Sequence, residues 1–91
     1  MCTTISHRTT VTGCGKGPQG WFDLHHVNVG YDHPFRAPFE HAVSIDFLDE
    51  GSSTRVAVEL SRESARELAK QILATVDEAD AYEGEPARAG S

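Results

Sequence analysis

Residues 39–48 read F-E-H-A-V-S-I-D-F-L, and they give the clearest alternation in the chain. Phe39, His41, Val43, Ile45 and Phe47 fall on one face, with Glu40, Ser44 and Asp46 on the other. That period of two marks a half-buried strand and identifies the side on which the core should lie. Downstream, residues 49–53 (D-E-G-S-S) predict a hairpin turn, and residues 54–60 a second strand with Val56, Val58 and Leu60 on the core face.

At Ser61 the period changes. Ala65, Leu68, Ala69, Ile72, Leu73 and Val76 follow helical spacing, Ser61 is a good N-cap, and Glu63 suits the first turn. The pattern predicts an amphipathic helix of about five turns ending near Ala79. Asp77, Glu78 and Asp80 oppose the helix dipole at that end, which favours fraying. Arg62, Arg66 and Lys70, spaced by four, read as a solvated helix face. Residues 81–91 are small and polar and are expected to form a disordered tail, leaving one domain over residues 1–80.

Upstream, residues 3–12 are rich in β-branched side chains and predict a strand with Ile5, His7, Thr9 and Val11 inward. Four glycines and Pro18 make residues 13–20 a hairpin loop. Glycines surround Lys16, but the spacing of a phosphate-binding loop and its Ser/Thr are absent. Residues 21–29 (W-F-D-L-H-H-V-N-V) form the second strand, mixed on both faces, with Trp21 and Phe22 as apolar anchors. Residues 30–38 form an ordered connection set by Pro34 and Pro38 and carrying Tyr31, Asp32 and His33. The expected architecture is α+β: a four-stranded antiparallel meander with one C-terminal helix packed on one face (ββββα), a two-layer sandwich.

The chain has 91 residues, a formal charge of −6 and eight basic residues, so it lacks the basic footprint that nucleic acid or an anionic membrane demands. No apolar run is long enough for a membrane span, and the first residues lack the apolar core of a signal peptide; the expected compartment is the cytoplasm. Cys2 and Cys14, separated by twelve strand residues or roughly 35–40 Å, are expected to stay free thiols. A core at this length is thin, which predicts a partner in self, a homodimer or higher oligomer.

Five histidines in 91 residues ask for a chemical explanation. A hairpin folded about residues 13–20 sets His7 near His25 and His26, and one folded about residues 30–38 sets His41 near Val27. His7, His25 and His41 then converge, with Asp23 two residues from His25 on the same face. Three imidazoles on a rigid sheet suit a transition metal ion such as zinc, copper, nickel or iron, with positions open for water or a small substrate. Beside this stands the plain reading of core histidines hydrogen-bonded to backbone or carboxylate, and with it a metal-free module that binds a small molecule or a protein. Cys2, exposed as the N-terminus if Met1 is removed, would add an amine and a thiol; Cys14, flanked by glycines, is an ordinary loop cysteine.

With Cys2-Thr3-Thr4-Ile5-Ser6-His7-Arg8, the loop of residues 13–21 and Tyr31-Asp32-His33-Pro34 on view, the chain resembles a family of small, uncharacterised bacterial domains that open with Met-Cys-Thr-Thr-Ile. The resemblance extends to about Val76 and implies a bacterial cytoplasmic origin. It brings no activity, cofactor or site.

Overall fold

A computed structural model describes residues 5–49, 51 and 54–84. β1 (Ile5–Gly17), β2 (Gly20–Asp32), β3 (Ala42–Leu48) and β4 (Arg55–Leu60) form one antiparallel sheet in the order β1-β2-β3-β4, and α1 (Arg62–Tyr82) follows. The ββββα order and the α+β class are those expected.

The first hairpin is longer than the glycines suggest. Residues 13–17 are the end of β1, and the turn is the pair Pro18-Gln19 alone, closed by Gly20 at a φ of 111°. Gly13 and Gly15 stand opposite Leu24 and Phe22. A Cβ on Gly15 would sit 3.2 Å from Phe22 Cζ and 3.3 Å from Leu24 Cδ2. Gly15, with Gly17 two residues on, therefore clears room for the Phe22 ring laid over the strand. Between Thr10 and Gly13 the register shifts, so Val11 and Thr12 together oppose His25, a bulge that bends the hairpin. The tip curls until Gly17 approaches Thr54 at the start of β4.

The connection between β2 and β3 is also displaced. β2 runs through Asp32, so the loop is residues 33–41, and Phe39, Glu40 and His41 precede β3 where a strand was expected to include them. Gly30 stays in the ladder because β1 passes very close: a Cβ there would lie 2.9 Å from the Ile5 carbonyl oxygen. In the loop, the Glu59 carboxylate on β4 accepts backbone N–H bonds from Phe35 at 2.5 Å, Arg36 at 2.9 Å and Ala37 at 2.9 Å. Three loop amides are thus satisfied by one side chain and need no strand partner.

Register places Ile5, His7 and Thr9 beside Tyr31, Val29 and Val27, these beside Val43, Ile45 and Phe47, and these beside Leu60, Val58 and Val56. The four strands thus share one apolar face, on the side that the residue 39–48 alternation indicated. The helix begins as its sequence demands: Ser61 Oγ accepts from Ser64 N at 3.1 Å, and helical bonding starts with Ala65 N donating to Ser61 O at 2.9 Å. It continues through Tyr82, three residues beyond the expected end at Ala79, without a basic residue in its last turn. The tail expected over residues 81–91 lies mostly outside the described residues, as does Cys2.

The layer of helix on sheet is only begun within the chain. α1 touches β3 and β4 and buries no residue, and its stripe of Leu68, Ile72, Leu73 and Val76 is exposed. Among the described hydrophobic residues only Val27 (8 % exposed) and Ala42 (2 %) are buried. The radius of gyration is 15.4 Å, against about 12 Å for a compact chain of this length.

Candidate functional site

The observed register separates the histidines that hairpin folding was expected to gather. His7 lies opposite Val29, and His25 is four residues further along β2, about 13 Å away at ~3.3 Å per residue. The cause is the pair of boundaries just described: lengthening β1 to Gly17 and β2 to Asp32 moves both hairpin centres toward the C-terminus. His25 instead places Nδ1 3.6 Å from Asp49 Oδ1. Asp23 stands opposite Cys14, whose Sγ is 3.9 Å from the Asp23 carboxylate. The expected convergence of His7, His25, His41 and Asp23 does not form in the single chain, and among the described residues no three His, Cys, Asp or Glu side chains are grouped to hold a metal ion.

What does come together is a column of flat rings at the β2–β3 connection. His41 stacks on His33 with ring centroids 4.7 Å apart and planes 25° from parallel, and on Tyr31 at 5.5 Å and 28°. Two hydrogen bonds fix its outer member: His33 N donates to Asp32 Oδ1 at 2.7 Å, and His33 Nδ1 lies 3.2 Å from the Glu40 carbonyl oxygen. The inner member, Tyr31, is carried by the last turns of the β2 ladder, paired with Ile5 and Val43. The loop between is bracketed by two prolines and tied to Glu59, so the column rests on a constrained support.

This column borders an open groove of about 440 Å3 lined by Tyr31, Phe39, His41, Ser61, Arg62, Glu63 and Arg66. One wall is aromatic and imidazole, the other the first turns of α1 with two guanidinium groups and one carboxylate. Arg62 and Arg66, which the sequence reads as solvated helix face, are thus part of the groove, while Lys70 pairs with Glu67 at 3.4 Å further along. A guanidinium offers a fork of donors suited to carboxylate or phosphate, and a ring wall suits a flat apolar body.

The Glu59 clamp was not visible as such, since strand alternation only turned Glu59 outward. Its signal was the spacing Pro34 to Pro38: the amides between two prolines need an acceptor, and an outward carboxylate on an adjacent strand can supply one. Three backbone donors hold the Glu59 carboxyl below the ordinary carboxylate range.

The fold and groove define a small antiparallel α+β protein in which two of the five histidines, His33 and His41, serve a ring stack. A family model described as a family of unknown function (DUF6295) matches residues 1–85, and the chain belongs to that family. No curated protein and no solved structure matches. No helix among the described residues is long and apolar enough to cross a membrane.

Proposed function

We propose that the protein is a binding module for a small anion with a flat ring, a ring carboxylate or phosphate monoester, held in the groove between the Tyr31–His41 stack and α1. The observation that carries this reading is that two arginines and a fixed ring column line one cavity. Its size lies within the range of small-molecule sites, roughly 300–1,000 Å3. Arg62 and Arg66 pair with the ligand's anionic group, and His41 and Tyr31 pack against its ring. The chain's net charge of −6 repels anions at long range, so capture depends on these local donors.

Isothermal titration with benzoate, phenyl phosphate and cyclohexane carboxylate tests it. The reading expects saturable binding that favours the aromatic members, weakened tenfold or more in Arg62→Gln with Arg66→Gln and in His41→Ala. Absence of saturable binding to the whole panel would contradict it.

The transition-metal reading on His7, His25, His41 and Asp23 is a separate proposal that this register does not favour. Elemental analysis of protein purified without chelators or added metal decides it: near-stoichiometric zinc, copper, nickel or iron lost in His41→Ala would restore it.

A further inference from the structure

We infer that the open apolar face of the sheet is the docking surface for α1 of a second copy of this chain, in a two-fold exchange that covers both copies. The sheet face shares Tyr31 with the ligand groove, while the rest of that face and the α1 stripe lie outside it.

Two unpartnered surfaces in one chain complement each other. The three-by-four block of the sheet centred on Val29 and Ile45 contains no Asp, Glu, Lys or Arg, in a chain of net charge −6. Within it Ile5, Val29 and Val58 are exposed. The second surface is the α1 stripe, where Ile72 is 54 % and Leu73 65 % exposed. A sheet face without Asp, Glu, Lys or Arg and an apolar helix stripe are the two halves of a helix-on-sheet layer.

The chain does not close this layer on itself, and the link between the two halves gives the reason. Ser61 alone joins β4 to α1; its backbone is extended, φ −69° and ψ 161°, and its side chain is committed to Ser64 N. One capped residue fixes the direction in which the helix departs, and along it α1 meets β3 and β4 without burying a residue.

Surface area points to a copy of equal size. The chain exposes 6983 Å2, roughly 1,800 Å2 above the ~5,200 Å2 expected of a compact monomer of 9.9 kDa. A standard interface takes about 800 Å2 from each partner, an area that this excess exceeds. In a two-fold arrangement each helix meets the other copy's sheet, so neither surface is left over.

Sedimentation equilibrium on the full chain tests the inference. The wild type is expected at twice the 9.9 kDa chain mass at micromolar concentration. Leu68→Asp with Ile72→Asp on the helix and Val58→Asp on the sheet are each expected to halve that mass, because they remove opposite sides of one contact. Lys70→Glu, away from the stripe, keeps it. A wild type of 9.9 kDa that still unfolds cooperatively overturns the inference. So does dissociation by the helix variant with the mass unchanged in Val58→Asp, which would mean that helix pairs with helix.

Discussion

Glu59 holds the 33–41 loop through the amides of Phe35, Arg36 and Ala37. Because its carboxyl titrates below its unfolded value, the bonds contribute at neutral pH and are lost as pH falls through the depressed folded pKa. Amide hydrogen exchange at Phe35, Arg36 and Ala37, read as protection relative to the intrinsic rate at each pH, should therefore show strong protection at neutral pH and lose that protection on acidification below the ordinary carboxylate range. In Glu59→Gln the protection should be low throughout, with no added pH dependence. Exchange equally slow in the variant would show that the loop is held by something else. Phe35 is 95 % exposed on this tied segment, so its exposure belongs to an ordered backbone. Ser61 makes a second residue-scale prediction: Ser61→Ala removes the N-cap bond and should cost about 1 kcal/mol in denaturant unfolding. An unchanged midpoint and slope would mean the cap contributes nothing.

At the scale of elements, the glycines of β1 and β2 separate into those with space around them and those without. A Cβ at Gly13 meets nothing within 4 Å, at Gly15 it meets the far ends of Phe22 and Leu24, and at Gly30 it meets the Ile5 backbone oxygen at 2.9 Å. Alanine substitutions should thus rank in that order: near zero at Gly13, about 1 kcal/mol at Gly15 where side chains can shift, and ~2 kcal/mol or more at Gly30 where backbone must move. Chemical denaturation of the three variants checks the order, and a Gly30→Ala as stable as Gly13→Ala would refute the close approach of β1. The same residues explain what the sequence concealed. Strand β3 and the helix were legible because their periods of 2 and 3.6 are carried by large apolar side chains such as Ile45, Phe47, Leu68 and Ile72. Residues 13–17 were not, since a strand whose packing comes from Phe22 of its neighbour shows only glycines in its own sequence. Those few residues of strand length set the register, and the register decided the site. His41 was singled out as a metal ligand; the partners it has in the structure, Tyr31 and His33, follow from β2 reaching Asp32 and from a loop held by Glu59.

For the whole molecule, the central fact is how little the described residues bury: two hydrophobic side chains, with a helix stripe in the open and a sheet face without Asp, Glu, Lys or Arg. Burying a Leu, Ile or Val side chain contributes about 1.5–3 kcal/mol, so Leu68, Ile72, Leu73 and Val76 together with Val29 and Val58 represent stability that a lone chain does not realise. A thin core at 91 residues pointed to self-association from length alone. The structure adds the two surfaces that would meet. Under the inferred exchange, stability depends on protomer concentration, because association draws the equilibrium toward the folded state by mass action. The most direct measurement is the unfolding midpoint of the full chain in urea or by heat, recorded across a hundredfold range of protein concentration. The exchange of helices between two copies predicts a midpoint that rises steadily with concentration. A cooperative transition whose midpoint does not move would contradict it.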